Sequence, residues 1–115
     1  MAITINYLPE FERRAKVLAK RYKSFPSDYD TFLRSLEENP SQGTSLGAGV
    51  YKVRMPIAAK GKGKSGGARV LTYKVTKTPP GDIFITLMSI FDKSDMANVS
   101  DKYIKSLVAA VHKEK

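Results

Sequence analysis

The spacing of hydrophobic residues changes along the chain and first predicts a strand followed by a helix. Residues 3–6 are largely β-branched and alternate in side-chain direction, which is typical of a short strand. Between residues 11 and 22 apolar side chains recur every three or four positions, and Pro9 fits the first turn of a helix. We therefore expect a first helix over residues 9–23.

A second apolar stripe, between residues 29 and 36, predicts another helix with Ser27 as its expected N-cap. Asn39 and Pro40 end this helix, because the residue before a proline disfavours helical backbone. Residues 41–49 are rich in glycine and serine and are expected to form a loop. The two helices would form an antiparallel hairpin, which needs a second layer to cover its apolar face.

Three strand patterns follow the hairpin and supply that second layer. In residues 51–57 the apolar side chains share one face, whereas Lys52 and Arg54 occupy the other. A further strand is expected over residues 69–77. The last, over residues 82–93, is apolar on both faces, which is typical of a central strand.

The final segment predicts a C-terminal helix. Ser100 is its expected N-cap, and an apolar stripe runs from residue 104 to residue 111. The predicted order is therefore β-α-α-β-β-β-α, which favours an α+β fold with the helical hairpin packed on a small, mainly antiparallel sheet. A length of 115 residues fits one domain, and we expect residues 1–115 to form it.

The middle of the chain carries nearly all of the net charge. Eight of the 20 basic residues and none of the 11 acidic residues lie between Pro40 and Gly81, so this segment supplies +8 of the net charge of +9. Such a concentration favours an anionic partner with a phosphate backbone. The eight residues are Lys52, Arg54, Lys60, Lys62, Lys64, Arg69, Lys74 and Lys77.

The composition excludes several kinds of site. The chain has no cysteine and a single histidine, His112, which excludes thiolate zinc sites and most histidine-based metal or triad chemistry. No apolar run approaches the roughly 20 residues of a membrane-spanning helix, and the N-terminus lacks the apolar region of a secretory signal. We expect a cytoplasmic protein that uses no metal, no small-molecule cofactor and no membrane.

The glycine-rich part of the basic segment matches two nucleotide-binding strings but fits neither. G-x-G-x-x-G occurs over residues 61–66, yet a strand follows it instead of a helix. Residues 63–65 imitate the end of a Walker A loop, although the earlier glycine of that motif is Ala58 here. Two interpretations stay open, a cationic loop that binds phosphates and an ordinary surface loop.

Three motifs, in fixed order and spacing, resemble those of a known toxin superfamily. They are GVYKVRM at residues 49–55, KGKGKSGGARVLTY at residues 60–73 and ITLMSIFDKSDMANVS at residues 85–100. Together they resemble the RelE/ParE superfamily of type II toxins, and the nearest branch is HigB-like. The two predicted helices agree in place and length, so the resemblance covers nearly the whole chain.

The resemblance implies a toxin that enters the ribosomal A site and cleaves messenger RNA during translation. Its partners would be the ribosome, messenger RNA and a cognate antitoxin protein that masks it. In that reaction the ribose 2′-hydroxyl attacks the adjacent phosphate without a metal ion and leaves a 2′,3′-cyclic phosphate or its hydrolysed form. Fixed Arg and Lys side chains suit this chemistry, because negative charge develops on the phosphoryl oxygens.

The same motifs imply which residues act. The matched catalytic positions are Lys52, Arg54, Lys64, Arg69, Phe91 and Lys93, and the expected RNA-binding residues are Lys60, Lys62 and Lys74. Arg54 and Arg69 are the expected phosphate clamps, because a guanidinium fork matches two phosphate oxygens. Lys52 or Lys64 is the expected proton-transfer group.

Phe91 departs from the superfamily pattern. Several members carry a tyrosine at this position, and its hydroxyl assists proton transfer. Phe91 has no hydroxyl and is expected only to stack on a base. The general base is therefore left open among Lys52, Lys64, Asp92 and Lys93.

Two other functions compete with messenger RNA cleavage. A ParE-like toxin would inhibit DNA gyrase without catalysis, although that branch is usually poorer in these basic residues. A non-catalytic RNA-binding module would use the same cations without chemistry. Cleavage of translated messages separates the first function from both.

Overall fold

The computed structural model of the protein describes residues 2–60, 67–77, 81–93 and 99–113. In chain order its elements are β1 (Ile3–Tyr7), α1 (Pro9–Arg21), α2 (Phe25–Glu38), β2 (Thr44–Gly47), β3 (Val50–Met55), a 3-10 turn (Ala58–Lys60), β4 (Ala68–Lys77), β5 (Asp82–Asp92) and α3 (Asp101–Lys113). The predicted α+β class is confirmed. In these ranges no helix combines the length and the apolar character that crossing a membrane requires.

The strands form one mixed sheet in the order β1-β5-β4-β3-β2. β1 runs parallel to β5, while every other neighbouring pair is antiparallel, as the sequence predicts for most of the sheet. β5 lies between β1 and β4, and its C-terminal half is buried on both faces. Its unbroken apolar run is explained by this central position.

The helical hairpin covers one face of the sheet. α1 begins at Pro9, where the missing amide removes no helical hydrogen bond. Phe11 and Leu18 of α1 and Phe32 and Leu36 of α2 point into the core. Their partners on the sheet are Val53, Met55, Val70, Ile85, Leu87 and Ile90. Burial of each large apolar side chain contributes about 1.5–3 kcal/mol, so this layer fixes the hairpin on the strands.

α3 packs on the opposite face of the sheet. The apolar cluster on this side consists of Leu8, Val50, Leu71, Met88, Phe91, Leu107 and Val111. The amide of Tyr103 donates a hydrogen bond of 3.1 Å to the Ser100 hydroxyl, which confirms Ser100 as the N-cap of α3.

Tyr103 also connects α3 with α1 and with the sheet. Its hydroxyl donates to Glu10 at 2.7 Å and shares a hydrogen bond of 2.7 Å with Ser89 of β5. Burial acts to raise the pKa of Glu10, but hydrogen bonds from Arg14, Tyr103 and Arg13 outweigh it and lower the pKa from 4.5 to about 2. The Glu10 carboxylate is thus an ionised anchor for α3.

Two local expectations are wrong. Residues 41–49 are not a loop throughout, because Thr44–Gly47 pairs with β3 as an exposed edge strand. This strand has no buried face, so no apolar alternation marks it in the sequence. Ser27 is not the N-cap of α2, because the helix begins at Phe25 with Ser24 at the cap position. Pro26 lies in the first turn, where a helix tolerates the absence of an amide.

Candidate nucleic-acid interface

Lys52, Arg54 and Arg69 lie on one face of the sheet, and we term them the cationic row. In the antiparallel ladder Arg54 is the direct partner of Arg69, and Arg69 is in turn the direct partner of Phe91. Direct partners project from the same face, and Lys52 shares that face because it lies two residues from Arg54. Phe91 belongs to the cluster under α3, so the row lies on the α3 side of the sheet.

The cationic row brings like charges together. Directly opposite residues of an antiparallel pair have Cβ atoms about 4.5–5.5 Å apart, and like charges at that spacing destabilise a sheet. Among the residues that the structure describes, no carboxylate forms an ion pair with Lys52 or Arg69. An anionic ligand that reached both guanidinium groups would be attracted by the positive charges of Arg54 and Arg69.

Solvent reaches the cationic row. Arg54 is exposed, and Lys52 and Arg69 are half-buried. Lys52 lines a cleft of about 530 Å³ between the β2–β3 hairpin and α3. Arg54 lies beyond the end of the β2 pairing, at an open edge of the sheet, and it also borders a cleft of about 510 Å³ on the hairpin side, beside α2. The two members of the row on β3 therefore open onto different clefts.

Phe91 and Lys93, the last two matched catalytic positions, differ in accessibility. Phe91 is 4% exposed and packs in the core under α3. Almost none of its surface is accessible for the expected stacking on a base, which stays a prediction. Lys93 follows β5 directly and is exposed. Its position two residues beyond Phe91 places it near the end of the row.

Of the three expected RNA-binding lysines, the two that the structure describes, Lys60 and Lys74, do not join the cationic row. Lys74 stands over the ring of Tyr51 at 5.5 Å, and Tyr51 packs against the core on the hairpin side. Lys60 is also on that side, in an ion pair described below. Lys62 lies outside the described residues, as does the catalytic candidate Lys64.

Asp92 holds Lys60 in a buried cluster on the hairpin side of the sheet. The Asp92 side chain is 0% exposed, and its Oδ1 accepts a hydrogen bond from Lys60 Nζ at 2.6 Å. Its Oδ2 accepts from Arg21 Nη1 at 3.3 Å and from the Tyr22 hydroxyl at 2.5 Å. The hydrogen bond to this carboxylate raises the pKa of Tyr22, because a phenolate could not donate it. These four residues are termed the Asp92 cluster.

The Asp92 cluster involves two of the expected site residues. Lys60, an expected RNA-binding residue, is largely shielded from solvent, because its side chain is only 16% exposed and is paired with Asp92. Asp92 is not a free general base, because its buried oxygens already accept hydrogen bonds from two cations and a phenol. Of the four candidates for the general base, Lys52 and Lys93 are the described residues that solvent reaches.

Sequence patterns do not reveal the partners of Asp92. Arg21 and Tyr22 precede it by 71 and 70 residues, a separation at which local periodicity carries no information. The sequence offers one signal, a lone acid at the end of an apolar strand, which has to find a cation if it is buried. In the described ranges no three His, Cys, Asp or Glu side chains are grouped as a metal site requires.

Comparison with known proteins identifies the family. A family model for the RelE toxin of RelE/RelB toxin–antitoxin systems matches residues 29–113, roughly three quarters of the chain. The chain belongs to the RelE toxin family. A search of curated proteins found no matching relative.

Membership in the RelE family makes this protein a toxin of a toxin–antitoxin system, with a cognate antitoxin as its partner. The resemblance to the RelE/ParE superfamily is confirmed at that level. The match includes all of β3, β4 and β5, and therefore the whole cationic row and Asp92. Arg21 and Tyr22 of this RelE-family toxin precede the matched region.

Proposed function

We propose that this toxin is an endoribonuclease of the HigB-like branch that cleaves messenger RNA in the ribosomal A site. One observation above all supports this function, the direct pairing of Arg54 with Arg69 on a face of the sheet that solvent reaches. Two guanidinium groups on adjacent strands match phosphoryl oxygens that gain negative charge in a transition state. The segment of charge +8 around them favours the same polyanionic partner.

The proposed reaction is an internal attack of the RNA on its own phosphate. The ribose 2′-oxygen loses its proton and bonds to the adjacent phosphorus, while the bond from phosphorus to the 5′-oxygen breaks. The departing 5′-oxygen takes up a proton, so the products are a 2′,3′-cyclic phosphate and a 5′-hydroxyl end. In this proposal Arg54 and Arg69 hold the phosphoryl oxygens, and no metal or cofactor takes part.

Lys52 is the proton-transfer group in this proposal. It shares the face of Arg54 and is half-buried beside the cleft under α3. Phe91 has no hydroxyl, and Asp92 is occupied by its own cluster. Lys52→Met should lower the single-turnover rate at saturating toxin by about 10²-fold or more, and by more than Lys93→Met does. The reverse outcome would assign proton transfer to Lys93.

Induction of the toxin in cells that translate a reporter message tests the function. Primer extension should reveal new 5′ ends within the coding region, and the same message without a start codon should stay intact. This outcome requires translating ribosomes, which places the reaction in the cytoplasm. Stable messages together with DNA damage would instead indicate a gyrase inhibitor. RNA binding without any cleavage would indicate a non-catalytic RNA-binding protein.

A further inference from the structure

Several contacts meet at the start of β4, one residue before Arg69. The carbonyl of Gly67 accepts hydrogen bonds from the Lys93 amide at 3.3 Å and from Lys60 Nζ at 3.4 Å. The next residue, Ala68, is the direct ladder partner of Asp92. Asp92 is therefore connected to the start of β4, at this corner of the sheet, in two ways. Its main chain pairs with Ala68, and its carboxylate binds Lys60, which in turn donates to Gly67.

Arg69 is attached to the same corner. Its Nη1 donates to the carbonyl of Ala68 at 3.3 Å, so the guanidinium is held against the main chain beside it. Gly67 has a φ of +103°, and a Cβ at this position would lie 2.6 Å from the main-chain oxygen of Met55. The backbone before Arg69 consequently has little room to adjust. A shift of the corner would move the guanidinium with it.

The 3-10 turn that carries Lys60 is fixed from its other side by α2. The amide of Ala59 donates to the Ser24 hydroxyl at 2.8 Å, and the amide of Ala58 donates to Asp28 at 3.1 Å. The Asp92 cluster thus joins α1, the 3-10 turn and β5 at one buried carboxylate. A buried carboxylate is stable only with such partners, so their geometry is closely determined.

We infer that Asp92 is a positioning residue that fixes the start of β4 from the hairpin side and thereby orients Arg69 on the opposite face. Asp92 touches no substrate in this arrangement. Because Arg69 is a phosphate clamp only under the proposed function, the effect on cleavage depends on that function. An ion pair with a purely stabilising role would change unfolding but not the cleavage rate of the folded toxin.

A double-mutant cycle of Asp92→Asn and Arg69→Ala tests the inference at saturating toxin. Asparagine keeps the shape of Asp92 and removes its charge. We expect Asp92→Asn alone to lower the single-turnover rate by about tenfold or more, because small misplacements of a catalytic group have effects on this scale. In the Arg69→Ala background the same change should lower the rate by less than about threefold, since residues that act through one another are not additive. An equal loss in both backgrounds would overturn the inference.

Lys60→Met provides a second variant in case Asp92→Asn does not fold. It leaves the carboxylate with Arg21 and Tyr22, and it removes the ion pair of Lys60 with Asp92 together with the link to Gly67. The rate should fall in the same way, with little change in the toxin concentration that gives half-saturation. Lys16→Met is the matched control, because the Lys16 side chain is 73% exposed, and it should keep the wild-type rate. A wild-type rate for Lys60→Met would contradict the inference.

Hydrogen exchange provides a readout that does not require cleavage. In Asp92→Asn or Lys60→Met the amide of Lys93, which donates to Gly67, should exchange about tenfold faster or more, as for local opening. Amides of α3 should keep their exchange rates. If exchange changes in this way but the wild type never cleaves RNA, the proposed function is wrong and the fixation of the β4 start stands. Unchanged exchange at Lys93 would refute that fixation.

Discussion

The Asp92 cluster and the cationic row place basic residues on opposite faces of the same sheet, with different consequences. In the cluster, Lys60 and Arg21 neutralise a fully buried carboxylate. In the row, Arg54 of β3 and Arg69 of β4 are direct ladder partners and carry charges of the same sign. Both groups contain members of the same basic segment of the sequence. Under the proposed function, the face of the sheet on which a basic residue lies decides whether that residue stabilises the fold or binds a ligand.

The largest expected effect on stability comes from removing the charge of Asp92 from the Asp92 cluster. Asp92→Asn should lower the free energy of unfolding by about 3–5 kcal/mol, because two cations lose their buried counter-charge. The matched control is Asp30→Asn, whose pair with Arg34 has side chains 63% and 76% exposed. It should lose less than about 1 kcal/mol. Urea unfolding measures both, and equal losses would mean that the Asp92 cluster is no more than a surface pair.

Acid should weaken the fold through Glu10, a second carboxylate that pairs with basic residues. The lowered pKa of about 2 means that its contribution is complete above 4.5 and is lost as the pH falls from about 4.5 to about 2. The loss amounts to at most about 3 kcal/mol. Glu10→Gln should flatten the curve of unfolding free energy against pH in this window. If unfolding free energy falls with pH equally in wild type and Glu10→Gln over this window, Glu10 does not contribute to the loss of stability in acid.

Comparison of Gly67→Ala with Gly47→Ala tests how rigid the backbone is at the start of β4, between the Asp92 cluster and the cationic row. Gly67 and Gly47 have φ values of +103° and +92°, so alanine is strained at both positions. Only at Gly67 would the new Cβ meet the main chain, whereas it meets nothing within 4 Å at Gly47. Gly67→Ala should therefore destabilise the fold by about 1–3 kcal/mol more than Gly47→Ala. Thermal unfolding of the two variants measures the difference, and equal losses would show that the corner can adjust.

The smallest expected effect concerns RNA affinity and tests which face of the sheet RNA contacts. If RNA crosses only the cationic row, Lys52→Ala should reduce the slope of log affinity against log salt by about 0.7 for a single strand. Lys74→Ala, on the hairpin side, should leave that slope unchanged. Lys52→Ala should weaken binding by about 1 kcal/mol or less, as for an exposed charge contact. Equal reductions for both variants would show that RNA reaches both faces, as the sequence alone suggests.

The shared face of Lys52 and Arg54 could be predicted because strand alternation is a local property. Once residues 51–57 and 69–77 are recognised as strands, Lys52 and Arg54 have to share a face. The register that pairs Arg54 with Arg69 could not be predicted in this way, because the connection between the two strands spans residues 56–67 and is too long to fix it. The order of helices and strands was predictable, since each long element has its own apolar period.

The remaining features depend on contacts between distant parts of the chain. The ring of Phe91 is buried because α3 covers its face, which strand periodicity cannot indicate. Lys60 pairs with a residue 32 positions away, and Tyr103 bonds Glu10 across 93 positions. β2 is missed for a different reason, because an exposed edge strand needs no apolar residues. Tertiary packing therefore determines the burial of Phe91 and the partners of Lys60 and Tyr103, but not why β2 is missed.

Single-turnover cleavage of ribosome-bound messenger RNA by Arg69→Ala tests the central claim most directly. With toxin in excess the rate reports the chemical step without the binding step. The matched control is Arg34→Ala, which removes an exposed arginine of α2 outside the row. The cationic row predicts a loss of about 10²-fold or more for Arg69→Ala, as for one fixed transition-state donor, and a near wild-type rate for Arg34→Ala. A wild-type rate for Arg69→Ala would contradict the assignment of this row as the catalytic phosphate clamp.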